Sequence, residues 1–305
     1  MIRNVSTASE IFLADLQRIQ NRGAQLSEQI SSGVRVSRAS DDPDSISNIL
    51  QLRARIDGND QMEKNLQRAQ AEADSADQAL SESIQAMDRI TTLAAQAANS
   101  TTTADQRTTI AQEVRGLGEQ LVAFSRTAVE GRYIFSGDDE TQPPYAVDDT
   151  GASLAIQTGG AASTRRIAGP NGVMFEVSQT AADIFDHKNT DGTAADDNVF
   201  DAVQSLYTAL STNDQAGIDA ALPRIRASAA RLNQSEGFYG AVQNRLSSSL
   251  TTVNQDQVSS KALLSQEQDT DMTAAILESS AVNTQEQAAL AAKARPTMSL
   301  FDFLK

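Results

Sequence analysis

The sequence predicts a mainly α-helical chain, a long antiparallel helical bundle or coiled coil formed by the N- and C-terminal halves, with a small β-rich domain inserted between them. Three observations carry that expectation. Apolar residues recur at steps of three and four through both halves. Alanine supplies much of the 40% hydrophobic share and aromatics only 4%, material that suits thin helical packing better than a broad core. Third, the composition changes between Tyr133 and Asn198, where Gly, Asp, Thr and Pro take over.

Taken in order, Thr7-Ala8-Ser9-Glu10 reads as a capping box that starts a helix. Leu16, Ile19, Gly23, Leu26 and Ile30 follow as its apolar seam. Ser31-Ser32-Gly33 breaks the pattern, and Val34 to Ser40 reads as an extended loop or short hairpin. Asp41-Asp42-Pro43-Asp44 then starts the next helix, with an Asp cap, a proline where the first turn tolerates one, and acids at the positive helix end. From Pro43 to about Asn99 only Gly58 interrupts the pattern, which predicts a helix roughly 80 Å long at 1.5 Å per residue. Its seam is Leu66, Ala69, Ala73, Ala76, Leu80, Ile84, Met87, Thr91, Ala94 and Ala98. Thr103 to Gln106 offers a second capping box. It opens a seam of Ile110, Val114, Leu117, Leu121, Phe124 and Ala128, which Gly131 closes. The short polar turn between the two helices predicts that they lie antiparallel.

Residues 133–198 read as the β-rich insert, with strands at Leu154-Ala155-Ile156, Arg166-Ile167 and Val173 to Val177. Helical spacing resumes at Val199, Val203, Leu206 and Leu210, then from Ile218 through Ile276. Pro223 should kink or start a helix, so the spacing is compatible with one helix or two. The last stretch, Pro296 to Leu304, is a short apolar tail.

Several functions are excluded or left without residues to perform them. There is no cysteine, hence no disulfide framework, thiolate nucleophile or Cys-based metal site. A net charge of −15 repels a phosphate backbone, which argues against nucleic-acid binding. Twelve Asp and Glu against three Lys and Arg between Tyr133 and Asp201 give that stretch alone a net of −9, so it reads as solvated. No apolar run of about 18 residues suggests a membrane span, and no N-terminal stretch has the layout of a secretory signal. The single histidine, His187, lies beside Asp186 and Lys188 with no catalytic relay around it. His187 to Asn198 shares Asn189, Asp191 and Gly192 with part of a calcium loop. It has His at position one and Asn at position twelve, where a bidentate Glu belongs, and reads as a polar surface loop. Gly159-Gly160 lacks the lysine and spacing of a phosphate loop, and the paired aspartates are sequence neighbours that a strand turns apart. The expectation is no enzyme activity, no cofactor and no metal.

Three stretches resemble the flagellin and hook-associated protein superfamily. Ile30-Ser31-Ser32-Gly33-Val34-Arg35-Val36-Ser37-Arg38-Ala39-Ser40-Asp41-Asp42-Pro43 resembles its N-terminal signature. Gly131-Arg132-Tyr133-Ile134-Phe135-Ser136-Gly137 is similar to the helix-exit motif of the hook-associated protein 3 branch, the hook–filament junction proteins. The closing Ser299-Leu300-Phe301-Asp302-Phe303-Leu304 looks more like that branch than like a filament flagellin, as does proline after Asp41-Asp42. Gly240-Ala241-Val242-Gln243-Asn244-Arg245-Leu246 pulls the other way and resembles a flagellin motif.

The resemblance implies a structural part of the bacterial flagellum, exported through the flagellar type III channel and assembled outside the cell. The partners it implies are the hook-side junction protein (hook-associated protein 1), flagellin, a cytoplasmic export chaperone and further copies of the chain. Neither nucleic acid nor membrane is expected. Residues 1–42 and 265–305 are expected as terminal assembly segments, 43–132 and 199–264 as the long-helix domain, and 133–198 as the outer insert. The terminal seams are thin, their leucines diluted by Ala, Gln and Ser, so these ends should be disordered until neighbours cover them. The expected assembly contacts are Leu16, Ile19, Leu26 and Ile30 of the first seam, Arg35 and Arg38 of the loop, and Leu300, Phe301, Phe303 and Leu304 of the tail. The two arginines are expected to meet acids of an adjacent copy, since a guanidinium fork binds a carboxylate with two bonds.

Overall fold

In the computed structural model, residues 2–148, 150–162 and 164–294 are described, with side chains from 9 to 292. The helices are α1 (Ile2–Ser32), α2 (Pro43–Ala97), α3 (Ala104–Ser125), α4 (Ala181–Phe185), α5 (Val199–Ser211), α6 (Gln215–Gln268) and α7 (Met272–Ala294). Six short strands lie between α3 and α5: β1 (Ala128–Val129), β2 (Arg132–Tyr133), β3 (Tyr145–Val147), β4 (Ala155–Gln157), β5 (Arg166–Ala168) and β6 (Met174–Glu176). They form three separate antiparallel ribbons, β1–β2, β3–β4 and β5–β6. The fold is the expected one, long helices from both halves around a small insert with strands.

Contacts divide the chain into two units, residues 1–58 with 256–305, and residues 59–255. Unit 59–255 holds a continuous core. The α2 seam points into it: Leu66, Ala69, Ala73, Ala76, Leu80, Met87 and Ala94 are buried, with Ile84 and Ala98 partly so. Ile110, Val114 and Leu121 of α3 meet it, as do Val203, Leu206 and Leu210 of α5 and Ile225, Leu232 and Leu246 of α6. The box at Thr103 is present in both directions: Gln106 N donates to Thr103 Oγ1 and Thr103 N to Gln106 Oε1. Where α2 ends, the buried Arg107 of α3 donates from Nε to the Ala97 carbonyl (3.2 Å) and from Nη1 to Asn213 Oδ1 (2.8 Å). That satisfies an orphan carbonyl with a cation, which also suits the negative end of the helix.

The insert is joined to these helices by aromatics, few in number but concentrated here. Phe135 sits edge-on to Phe185 and to Tyr239 of α6, both at 6.2 Å, and Phe185 stacks on Phe200 of α5 at 5.6 Å. Tyr145 packs on Phe200 at 5.2 Å and donates its hydroxyl to Asp186 Oδ2 at 2.8 Å. Burial and that carboxylate push the Tyr145 phenol up from its ordinary pKa.

Two local expectations need correction. Thr7 to Glu10 lies inside α1, which runs from Ile2; with no Gly or Pro upstream, nothing stops the helix there. α3 ends at Ser125, not at Gly131, and Ala128 belongs to β1. Glu130 (φ 52°) and Gly131 (φ 78°) form the two-residue turn between β1 and β2, where two positive φ values match the strand twist. Of the two alternatives open at Pro223, the structure has one helix, α6, with the proline in its interior, so the loss of one backbone donor does not divide it.

Candidate assembly interface

The unit of residues 1–58 and 256–305 is built around the loop between α1 and α2. α1 finishes with Gly33 in the left-handed region (φ 73°), its N donating to the Gln29 carbonyl at 2.9 Å, an exit that glycine takes at least steric cost. The loop then caps α6. Arg35 N and Val36 N donate to the Gln268 carbonyl (2.7 and 3.3 Å), and Arg35 Nη2 donates to the Glu267 carbonyl at 2.7 Å. Thr270 N donates back to the Gly33 carbonyl at 2.9 Å. The last carbonyls of a helix lack internal partners, and here a guanidinium and two amides supply them.

The same loop caps α2. Asp42 accepts from Ser45 N (3.2 Å) and Ser45 Oγ (2.9 Å), and Arg35 Nη1 lies 2.9 Å from Asp42 Oδ2. The Arg35 guanidinium, then the Ser45 donors, hold the Asp42 carboxyl down at about 2. Asp41 Oδ2 accepts from Arg38 N at 2.8 Å and from Ser37 N and Oγ at 3.1 Å; the Arg38 amide leads in lowering its pKa. Arg38 reaches Glu28 of α1 at 3.3 Å. Both predicted arginines therefore meet groups of their own chain, and Arg35 joins two helix ends.

α1 and α7 pair antiparallel. Gln20 meets Glu286 (3.0 Å), Arg22 meets Glu278 (2.8 Å), and Gly23 lies where an added Cβ would stand 3.5 Å from Val282 Cγ1. Of the predicted seam, Leu26 is buried and Leu16, Ile19 and Ile30 are half-buried. Arg55 of α2 donates to Asp256 of α6 from two guanidinium nitrogens, Nε to Oδ2 and Nη2 to Oδ1. Leu300, Phe301, Phe303 and Leu304 lie outside the described residues.

What this unit leaves uncovered matters more than what it buries. Its buried hydrophobics are Leu26, Val36, Ile49, Ala275 and Val282. Of twelve large hydrophobics exposed among the described residues, nine are here: Ile11, Leu13, Leu50, Val258, Leu263, Met272, Ile276, Leu277 and Leu290. A soluble monomer carries single exposed apolar residues freely, but concentration in one region marks an interaction surface. Sequence reasoning placed Met272 and Ile276 of this set on the C-terminal seam and missed the other seven; the adjacent pair Ile276-Leu277 was the available signal, because two neighbours cannot both face one partner helix. The carbonyls of Glu267 and Gln268, being backbone, left no signal.

His187 Nδ1 lies 2.6 Å from Asp197 Oδ1, and Arg231 donates to the other Asp197 oxygen at 3.0 Å. Among the described residues, no group of three His, Cys, Asp or Glu is placed to hold a metal ion.

Residues 4–140 match the bacterial flagellin N-terminal helical region, and residues 218–303 match the bacterial flagellin C-terminal helical region. The chain belongs to the flagellin and hook-associated protein superfamily. Flagellin of Halalkalibacterium halodurans is 24% identical over 278 residues, covering 89% of this chain and 86% of that protein. Flagellar hook-associated protein 3 of Escherichia coli is 29% identical over 192 residues, covering 61% and 59%. In fold, the chain is similar to a putative flagellar hook-associated protein from Vibrio parahaemolyticus, at a TM-score of 0.64 and 19% identity, covering 75% of this chain and all of that one. The superfamily's two helical regions account for α1 to α3 and for α6 and α7. Residues 141–217, between the two matches, carry β3 to β6, α4 and α5.

Proposed function

We propose that this superfamily member is a non-enzymatic hook–filament junction protein that completes its fold by packing against neighbouring copies. The observation that carries the assembly reading is the unit of residues 1–58 and 256–305, whose described residues include nine exposed large hydrophobics and four buried ones besides Ala275. Covering a Leu or Ile side chain stabilises by about 1.5–3 kcal/mol, so contacts made by neighbours would exceed what this unit gains alone. The seam residues Leu16, Ile19, Leu26 and Ile30 order α1 for that contact, and Arg35 and Arg38 hold the loop beneath it. Leu300, Phe301, Phe303 and Leu304 add the apolar tail. The implied partners are hook-associated protein 1 on the hook side, flagellin on the filament side, and a chaperone before export through the flagellar type III channel.

What favours the junction over the filament is the Gly131–Gly137 motif, the Asp41-Asp42-Pro43 helix start and the fold likeness to a hook-associated protein. A second reading, filament flagellin, is favoured by the flagellin alignment over 89% of the chain and by the Gly240–Leu246 motif. Deleting the gene separates them. Loss of a junction protein leaves hooks in place, filaments absent and flagellin shed into the medium. Immunogold labelling along the whole filament, in place of a short band at its base, would overturn the junction reading.

A further inference from the structure

The Gly131–Gly137 segment has a role that assembly does not use. It leads from the β1–β2 turn into the insert and is buried from Ile134 to Gly137. Its Arg132 belongs to a closed ring of four charges that includes a residue of α2. Glu72 of α2, buried, meets Arg132 Nη2 through Oε1 at 3.1 Å and Arg165 Nη1 through Oε2 at 2.9 Å. Glu140 completes the ring, with Arg132 Nη1 at 3.0 Å and Arg165 Nη1 at 2.8 Å. Two acids and two guanidiniums alternate, so the ring is neutral and each carboxylate touches both arginines.

We propose that this ring, with the Gly131–Gly137 segment, is a register lock that fixes where the insert sits along α2. Attachment itself comes from apolar packing of Phe135 against Phe185 and Tyr239. Such packing is non-directional, whereas charge-assisted bonds of fixed geometry define which atoms must meet. A slide of α2 by one turn takes Glu72 about 5.4 Å away and leaves two partly buried guanidiniums facing one acid, so one charge loses its partner away from bulk water.

The backbone of the segment spreads that fixed point through the insert. Ala181 N donates to the Phe135 carbonyl at 2.7 Å and Ala161 N to the Ser136 carbonyl at 2.8 Å. Ser136 Oγ donates to the Gln142 carbonyl at 2.8 Å, and Tyr133 N to the Glu140 carbonyl at 2.9 Å. The starts of three stretches of the insert therefore hang from one segment, and the ring ties that segment to α2. Glu72 and Arg132 are positioning residues.

Hydrogen exchange on the full-length protein tests this with E72Q and E140Q, each of which removes one charge from the ring. The expected result is local: amides of residues 132–136 and 165–168 exchange at least about tenfold faster, while those of α3 and of residues 218–246 in α6 stay within about twofold. Unchanged exchange at 132–136 in both variants overturns the lock. So does equal acceleration throughout residues 59–255, which makes the ring a general stabiliser only. Should E72Q fail to fold, E140Q, altered at the half-buried corner, decides the matter by the same criterion.

Discussion

Leu277→Ser is the substitution that separates folding from assembly. Leu277 lies on α7 with 68% of its surface exposed. Its removal deletes almost no contact within the chain, and surface changes of that kind stay within about 0.5 kcal/mol. Assembly is a different matter. Fully covering a leucine stabilises by about 1.5–3 kcal/mol, so covering the exposed two-thirds contributes about 1–2 kcal/mol. At 1.4 kcal/mol per decade, that predicts roughly a 5- to 30-fold weaker contact with a neighbour. Serine also leaves a hydroxyl to desolvate, which moves the loss toward the upper end. Thermal unfolding followed by circular dichroism should give a midpoint close to wild type, while flagellin shed into the medium rises at the expense of attached filament. Attached filament and shed flagellin both at wild-type levels would refute the argument that this surface is an assembly face. A lowered unfolding midpoint would equally undo the separation on which the test depends.

Two further outcomes follow from particular contacts. Asp42 carries a folded pKa of about 2 against an ordinary 3.8, a depressed acid, so its capping contribution is fully present above about pH 4 and is lost as pH falls toward 2. Exchange at Ser45 and Arg35 measured from pH 5 downward should show the loop loosening in that window, and in D42N the dependence should disappear. Phe135→Ala removes the ring that touches both Phe185 and Tyr239 and should destabilise residues 59–255 by about 3–5 kcal/mol, read as a lower denaturant midpoint with nearly unchanged slope.

Periodicity made the helical part legible because the physics is local and repeated. Each seam residue of α2 from Leu66 to Ala94 votes for the same face, and one mistaken residue changes nothing. The Thr103 and Gln106 box was equally readable, since both partners lie within one turn. The ends were not. α3 stops at Ser125 because Thr127 and Val129 favour extended backbone and Glu130-Gly131 can turn it, yet glutamate is an uncommon first residue for such a turn. β3 and α4 are three and five residues long, too short for any period to register, and they exist because Tyr145 and Phe185 find the same aromatic neighbour, Phe200. Of the site, the leucine seam and the signature loop could be named in advance. The reason for the loop could not. Arg35 matters for carbonyls 232 and 233 positions away in sequence, which belong to the backbone and leave no trace in residue type.

The distribution of apolar material gives the chain a built-in order of events. α2 and α6 supply Leu66, Leu80, Leu232 and Leu246 to the core of residues 59–255. Their other ends supply only Ile49 to the buried set, with Leu50, Val258 and Leu263 left exposed. Fixing a residue's backbone costs about 1–2 kcal/mol, and that cost is the same in both units, whereas the burial that offsets it is concentrated in one. Residues 59–255 therefore hold most of the buried apolar surface, and on the proposed assembly reading the described residues of the other unit gain theirs from a neighbour. The capping loop narrows this gap without closing it, because Arg35 and Asp42 stay in contact with solvent, where water and salt screen an ion pair. The proposed assembly then supplies, on contact with another copy, the apolar burial that the terminal unit lacks within one chain.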